Sequence, residues 1–254
     1  MTGALPPETA VTEDTLLGGR VRLAQPAAGY RAAIDPVLLA AAVAAGPRDR
    51  VLDAGAGVGA ASLCLAWRVA ECNIVGLERD PALVALFRRN VAANGQGDRV
   101  TAVAGDIAEP PAALEPGGFD RVMINPPYLA AAAADLPPDA GKAAATVEGA
   151  ADLAAWLDFG LAMLRRKGTL TVIHRADRLD ALLAGLHGRA GDVAVLPFWP
   201  KAGQAARRVI VAARKGVAGP ARLLPGLVLH EAAGAYTAAA EAVLRGGAAL
   251  DLAG

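Results

Sequence analysis

Strand-like and helix-like segments alternate along most of this 254-residue chain, and the alternation limits the folds open to it. Strands are predicted at 51–54, 73–78, 99–104 and 119–124, separated by helices at 58–70 and 81–93 and a short helix near 109–114. Strands joined through helices run parallel, because each helix returns the chain to the starting edge of the sheet. The pattern predicts an α/β fold with a mainly parallel sheet and helices on both faces.

The last two strands of this pattern are arranged differently. After a helix at 151–166, a strand at 168–174 and a helix at 177–187, strands are predicted at 192–198 and 206–214 with no helix between them. Such a pair favours an antiparallel hairpin, which we expect at the sheet edge. A short strand at 227–230 and a helix from about 236 to 244 follow.

The N-terminal region is predicted to contain a tail, a hairpin and a helix. Residues 1–14 are expected to form a flexible tail, and Gly18-Gly19 marks the turn of two short strands within 15–23. Asp35-Pro36 predicts a helix start, with the aspartate as N-cap and the proline at the first helical position. We therefore expect a single domain over residues 15–254, closed by the C-terminal strand and helix.

Composition indicates a globular protein of the cytoplasm. Hydrophobic residues make up 54% of the chain and charged residues 20%, which excludes a disordered protein. No apolar run is long enough to span a bilayer, and nothing resembles a signal peptide. Cys64 and Cys72 are the only cysteines and suit neither a metal site nor a disulfide framework. We expect no metal, no membrane association, no obligate protein partner and a monomer.

The net charge of zero hides an uneven distribution along the chain. Residues 1–159 carry 12 basic and 19 acidic side chains, whereas residues 160–222 carry 12 basic and 3 acidic ones, a net charge of +9. A basic segment of this size can supply the phosphate-binding electrostatics of an otherwise neutral enzyme. A solvated surface is the alternative interpretation of the same charges.

A glycine-rich turn joins the first strand of the alternating pattern to the helix after it. Asp53 is followed by Gly55, Ala56, Gly57 and Gly59. Glycines at such a turn allow close backbone approach, and the helix N-terminus offers free N–H groups to a ligand. Because the glycines recur every second residue, unlike the Gly-x-Gly-x-x-Gly of dinucleotide sites, the spacing favours S-adenosylmethionine over NAD; a merely structural turn is the alternative.

Carboxylates end the next two strands of the pattern. Glu78, about 20 residues beyond the glycines, can accept hydrogen bonds from both ribose hydroxyls of a nucleoside cofactor. Asp106 can accept from an adenine amino group while Ile107 packs against the ring. Isolated acidic residues are usually plain surface charges, but ligands bind at the carboxyl ends of strands in open α/β sheets.

The stretch Asn125-Pro126-Pro127-Tyr128 directly follows the strand predicted at 119–124. An exocyclic amino nitrogen on an aromatic ring is a poor nucleophile, because its lone pair is delocalised. The Asn125 amide oxygen and the Pro126 carbonyl can accept its two N–H protons and localise that lone pair. The prolines hold the turn rigid, and Tyr128 can stack on a flipped-out base. These residues predict methylation of an exocyclic nitrogen, with an ordinary capped turn as the alternative.

These motifs together resemble the amino-methyltransferases with an Asn-Pro-Pro-Tyr motif, and the whole chain is similar to the bacterial tRNA(Val) adenine-37 N6-methyltransferases. Further markers are Tyr30–Leu39, Ala206–Val211 and Leu227–Glu231 with Tyr236-Thr237. The resemblance implies a class I, Rossmann-like fold with seven strands and an antiparallel edge strand. It also implies N6-methylation of a tRNA adenine by S-adenosylmethionine, which leaves as S-adenosylhomocysteine.

Site residues also follow from the resemblance. The catalytic residues would be Asn125, Pro126 and Tyr128. The cofactor-binding residues would be Asp35, Asp53, Gly55, Ala56, Gly57, Glu78, Asp106, Ile107 and Asn125. The candidates for contact with tRNA are Arg31, Lys142, Arg175, Lys201, Arg207 and Arg208. This chain departs from the family in having Asp35-Pro36 where Asp-Gly is frequent, and a run of alanines at 130–134.

Other substrates remain compatible with the motif. Release-factor glutamine-N5 methyltransferases share Asn-Pro-Pro-Tyr because a glutamine amide poses the same lone-pair problem. Members of that family, however, look to carry a large helical domain before the glycine turn. Only 52 residues precede Asp53 here. Ribosomal RNA guanine-N2 and DNA adenine-N6 enzymes are further alternatives. A non-catalytic SAM- or RNA-binding protein has no need for the clamp formed by Asn125.

Overall fold

The structure, a computed structural model, describes residues 10–28, 31–127, 129–130, 147–148 and 152–253. Its helices are α1 (Ile34–Ala42), α2 (Ala60–Arg68), α3 (Pro81–Ala93), α4 (Leu153–Met163), α5 (Leu179–Leu186) and α6 (Ala238–Leu244). Its strands are β1 (Val11–Leu16), β2 (Val21–Pro26), β3 (Arg50–Ala54), β4 (Asn73–Glu78), β5 (Val100–Ala104), β6 (Phe119–Ile124), β7 (Leu129–Ala130), β8 (Val147–Glu148), β9 (Leu164–Arg175), β10 (Ala190–Lys201), β11 (Arg208–Lys215), β12 (Arg222–Leu223) and β13 (Leu227–His230).

A nine-stranded sheet forms the centre, in the order β12-β10-β11-β9-β6-β3-β4-β5, with β13 also paired to β10. Strands β9, β6, β3, β4 and β5 are parallel neighbours, and β11 is antiparallel to both β9 and β10. The α/β class with a mainly parallel sheet and an antiparallel strand is thus confirmed. The expected edge position is wrong, because β11 lies inside the sheet, and β12 and β13 cover the outer side of β10.

The hairpin β1–β2 begins at Val11, so residues 11–14 belong to a strand and not to the expected tail. A polar network explains the longer strand. The Gln25 side chain donates to Asp14 and accepts from the Ala32 backbone N–H, each at 2.9 Å, and Arg31 binds both Thr12 and Asp14 at 2.6 Å. The Gln25 hydrogen bond is the main reason that the pKa of Asp14 is lowered.

The helix predicted to start with Asp35 as N-cap begins at Ile34, with Ala33 at the N-cap position. Two further predicted helices differ more from those observed. Residues 109–114 form turns and bends, because Pro110 and Pro111 each disfavour the helical conformation of the residue before them. The helix expected at 151–166 ends at Met163, and the chain pairs with β6 from Leu164 onward. By contrast, β4, α3 and β6 have the predicted bounds. In α3, the side chain of the N-cap Asp80 accepts from the Ala82 N–H at 2.8 Å.

The core has one hydrophobic layer on each face of the sheet. Helices α1, α2, α3 and α6 pack on one face, and α4 and α5 pack on the other. Phe87 of α3 and Leu157 of α4 are each at most 1% exposed in these layers. Within the described ranges, no helix is long and apolar enough to cross a membrane. Helices therefore cover both faces of the sheet. The strands end at two opposite sides of the sheet, and we call either of these sides an edge.

Candidate active site at the strand ends

Register in the sheet brings the predicted motifs together. Ala54, the last residue of β3, pairs with Leu77 in β4 and with Ile124 in β6. Glu78 pairs with Ala104, the last residue of β5. The glycine turn, Glu78, the stretch after β5 and the Asn125 turn therefore all start at the same edge of the sheet, at the carboxyl ends of four adjacent strands.

The glycine turn is shaped by three residues with positive φ: Gly55 at 73°, Gly57 at 57° and Gly59 at 85°. The N–H groups of Gly55 and Ala56 both donate to the Leu77 carbonyl at 2.9 Å. A Cβ added at Gly59 would lie 2.1 Å from Phe87, whereas one added at Gly57 would meet nothing within 4 Å. The turn is therefore packed tightly against α3 at Gly59 and borders open space at Gly57.

Glu78 is 8% exposed and holds the turn from the side of β4. One carboxylate oxygen, Oε2, accepts from the Gly57 N–H at 2.9 Å, and the other, Oε1, accepts from the Asp80 N–H at 2.9 Å. Each carboxylate oxygen has two lone pairs, so both oxygens can accept a further hydrogen bond. The residue predicted to bind ribose is thus also a structural tie between β4 and the turn.

Asp53 lies beneath the turn and is 2% exposed. Its carboxylate accepts from the Ser62 hydroxyl of α2 at 2.7 Å. Burial raises the pKa of Asp53 to about 6, against the lowering effect of the Ser62 hydrogen bonds. The side chain therefore connects β3 to α2, and Ser62 is a partner that the sequence pattern did not single out.

The stretch after β5 is held close to Glu78. The Gly105 N–H donates to the Glu78 carbonyl at 2.9 Å, and a Cβ at Gly105 would lie 2.4 Å from Pro111. The Asp106 carboxylate accepts from the Ala108 N–H at 3.0 Å, and Ile107 packs against the core layer that contains α4. Asp106 and Ile107 are half-buried, beside the edge where Glu78 ends its strand.

The Asn125 turn continues directly from β6, with Asn125 half-buried and Pro126 buried. Because Ile124 pairs with Ala54, Asn125 and Gly55 follow paired residues of adjacent strands. Tyr128 and Lys142 lie outside the described residues. The carbonyl and amide oxygens of this turn are hydrogen-bond acceptors placed one strand away from the glycine turn.

The predicted cations occupy several different environments. Arg208 begins β11 and forms an ion pair with Asp35 of α1 at 3.0 Å, and this ion pair joins the two elements. Arg31 is paired with Asp14, and Arg175 with Asp177. The Lys201 ammonium donates to the Ala232 carbonyl at 2.9 Å, and Arg207 is exposed. Among the predicted contacts that lie within the described ranges, Arg207 therefore has the most exposed position at the edge of the Asn125 turn.

The basic segment 160–222 does not form one surface. Its cations at the edge that holds the glycine turn are Arg175, Arg178, Lys201, Arg207 and Arg208. Those at or near the opposite edge include Arg165, Arg166, Lys167, Arg189, Arg214 and Lys215. The division follows from the strands, because β9, β10 and β11 each run from one edge to the other. The +9 net charge is thus divided between opposite ends of the sheet.

The chain matches the Methyltransferase small domain family over residues 33–142. It is 33% identical to the tRNA1(Val) (adenine(37)-N6)-methyltransferase of Actinobacillus succinogenes, over 71% of this chain and 75% of that protein. The chain therefore belongs to the same methyltransferase family as this relative. It is also 39% identical to the release factor glutamine methyltransferase of Geobacter sulfurreducens, over 31% of this chain but only 26% of that protein.

A solved structure has the same fold. The protein described as a predicted O-methyltransferase from Agrobacterium tumefaciens superimposes with a TM-score of 0.70 and 25% identity, covering 85% of this chain and 98% of its own. The class I methyltransferase fold is therefore shown, and S-adenosylmethionine is the cofactor of the family. The residues present fit this cofactor, because Gly57 leaves space beside the turn and carboxylate oxygens end the neighbouring strands.

Proposed function

We propose that this protein transfers a methyl group from S-adenosylmethionine to the exocyclic N6 of an adenine in a cytoplasmic tRNA, with adenosine 37 of a valine tRNA as the preferred target. One observation carries the proposal: Asn125 and the glycine turn follow residues paired across β6 and β3. An acceptor for an amino group would then lie one strand away from the turn, which borders open space at Gly57. The relative from Actinobacillus succinogenes supports the choice of substrate.

The cofactor would lie along the strand ends. Glu78 would accept from the ribose hydroxyls, Asp106 from the adenine amino group, and Ile107 would pack on the adenine ring. The backbone of Gly55, Ala56 and Gly57 would border the methionine end. Asp53, buried below the turn, would support it through Ser62 and its negative charge. When bound, the cofactor supplies an electrophilic methyl group on a sulfonium.

Catalysis would come from the Asn125 turn. The Asn125 amide oxygen and the Pro126 carbonyl accept the two N–H groups of the target nitrogen, so its lone pair points at the methyl carbon. That lone pair forms the new N–C bond as the C–S bond breaks, and the electrons of the C–S bond stay on sulfur as a thioether. The methylated nitrogen then loses a proton to water. Tyr128 would stack on the flipped-out base.

RNA would approach over the edge that carries Arg175, Lys201 and Arg207. Phosphate contacts by these side chains would position the tRNA without reading its sequence. Because Arg175 is already paired with Asp177, Arg207 would contribute more to the salt dependence of binding.

The glutamine side chain of a release factor is a second candidate substrate. The similarity to the enzyme from Geobacter sulfurreducens favours it, and an amide nitrogen needs the same pair of acceptors as an adenine amino group. The two substrates differ in the macromolecule that carries the nitrogen, so the product distinguishes them directly.

Methyl-labelled S-adenosylmethionine tests the proposal. The protein is incubated separately with purified tRNA, ribosomal RNA, DNA and a release factor, and the products are digested and identified by mass spectrometry. We expect label in N6-methyladenosine from tRNA and none with Asn125→Ala. Label in N5-methylglutamine would select the second candidate, and label in N2-methylguanosine of ribosomal RNA or in DNA would reject both.

A further inference from the structure

Asn90 of α3 is buried, at 1% exposure, and both ends of its amide are bound. Its carbonyl oxygen accepts from the Ala24 N–H of β2 at 2.7 Å. Its amino group donates to the Ala24 carbonyl and to the Val58 carbonyl, each at 2.9 Å. One side chain therefore joins the N-terminal hairpin, α3 and the glycine turn.

The same face of α3 also packs directly on the turn. Phe87, one turn before Asn90, is fully buried and leaves no room for a side chain at Gly59 or at Gly76 of β4. Val58 lies between Gly57 and Gly59, the two glycines that respectively border open space and contact Phe87. The Asn90 hydrogen bond thus holds the turn at the residue between its open side and its packed side.

Asn94, four residues after Asn90 at the C-cap of α3, provides a natural comparison. Its side chain accepts from the Arg22 N–H at 2.9 Å and donates to the Arg22 carbonyl at 2.7 Å. It therefore binds β2 in the same way as Asn90 does, two residues away along the strand. Its amino group also donates to the backbone carbonyl of Asn90 at 2.8 Å and not to the turn.

We propose that Asn90 is a positioning residue that couples the N-terminal hairpin to the cofactor-binding turn. Without its amide, the Val58 carbonyl loses a buried donor, and α3 contacts the turn only through the packing of Phe87 on Gly59. Glu78 holds the turn from the other side, through the Gly57 N–H at 2.9 Å. The Gly55 and Ala56 hydrogen bonds to Leu77 also remain, but the turn is no longer fixed at Val58. The backbone beside Gly57 then samples other arrangements, and cofactor binding has to restore the productive one.

The coupling is tested by calorimetric binding of S-adenosylhomocysteine to Asn90→Ala and Asn94→Ala. We expect the dissociation constant to rise about 5- to 20-fold for Asn90→Ala, since a buried carbonyl loses its partner, and less than twofold for Asn94→Ala. In methyl transfer, Asn90→Ala should raise KM for the cofactor while kcat at saturation stays within about twofold. Equal losses of affinity in the two folded variants would overturn the proposal, because hairpin attachment alone would then explain both.

A second measurement uses the wild-type protein, so it does not depend on whether Asn90→Ala folds. Hydrogen exchange is followed in peptides covering 20–26 and 55–60, with and without S-adenosylhomocysteine. We expect the ligand to slow exchange in both peptides, since Ala24 and Val58 share Asn90 as a partner. Protection of 55–60 alone would refute the coupling, and absence of binding would instead contradict the cofactor assignment.

Discussion

The two halves of the sheet place their functional residues in different ways. In the half formed by β3, β4, β5 and β6, the site residues lie at or next to the carboxyl ends of the strands, and several are fixed by hydrogen bonds, as for Glu78 with Gly57. In the half formed by β9, β10 and β11, the cations are spread over two opposite edges, and several are held in ion pairs. Motifs at strand ends thus converge in space, whereas a charge run along the chain does not.

The difference explains which inferences the sequence supports. A strand end is a local feature, and parallel pairing carries neighbouring ends to one edge, so the amino-acid pattern alone suffices to place Glu78, Asp106 and Asn125 together. The net charge of +9 on residues 160–222 is summed over strands that run in alternating directions. Only the antiparallel position of β11 between β9 and β10 shows that these cations lie at two opposite edges of the sheet.

Features that depend on distant contacts were not predictable. Asn90 contacts Ala24 and Val58, which are 66 and 32 residues away along the chain. The pair Asn90 and Asn94, with helical spacing, is the one signal that could have indicated a shared role. The burial of Asp53 and its Ser62 partner likewise depends on how α2 packs on β3. The predicted end of the N-terminal tail and the predicted end of the helix at 151–166 were wrong, because strands that pair with distant segments begin earlier, at Val11 and at Leu164.

The largest effect is expected in the first half of the sheet. Asn125→Ala removes one acceptor for the target amino group but leaves the glycine turn whole. We expect turnover to fall about 100- to 1,000-fold, the loss seen when one preorganised polar group is removed, with cofactor affinity nearly constant. Single-turnover methyl transfer and cofactor calorimetry measure the two quantities separately. Wild-type turnover in this variant would remove the proposed clamp.

Glu78→Ala should weaken cofactor binding by roughly 2–4 kcal/mol, about 30- to 1,000-fold, because one or two charged hydrogen bonds are lost along with the Gly57 tie. Glu71→Ala is a matched control, since Glu71 is exposed just before the other end of the same strand. We expect no change in affinity for the control. If calorimetry gives wild-type affinity for Glu78→Ala, this residue is not in the cofactor site.

Two buried groups should give opposite pH dependences of stability. The pKa of Asp53 is raised to about 6, so the stability that this group contributes at low pH is lost as pH rises from about 4 to 6. Burial, together with the positive charges of Arg178 and Arg175, lowers the pKa of His174 to about 4. Its contribution is therefore present above about pH 6.5 and lost as pH falls towards 4.

Urea unfolding between pH 4 and pH 7 separates these contributions. Relative to the wild type, Asp53→Asn should become more stable as pH rises, and His174→Gln less stable, each by about 3 kcal/mol for a shift of roughly two pKa units. If the wild type and both variants show the same dependence of stability on pH, neither Asp53 nor His174 has the shifted pKa described above.

The smallest effect concerns the second half of the sheet. Arg207→Ala should flatten the dependence of log K on log salt for tRNA binding by about one unit, because one phosphate contact is lost. Arg166→Ala is the control, since Arg166 is exposed near the opposite edge and should leave the slope unchanged. An equal change in both variants would mean that RNA covers both edges, and the distinction between them would fail.

A crystal structure with S-adenosylhomocysteine tests the central claim most directly, because that claim concerns where the cofactor lies. We expect the ribose hydroxyls within about 2.7–3.2 Å of the Glu78 carboxylate, the adenine beside Asp106 and Ile107, and the sulfur facing Asn125 across the space next to Gly57. Density for the ligand at the opposite edge of the sheet, or a ribose that does not contact Glu78, would contradict it.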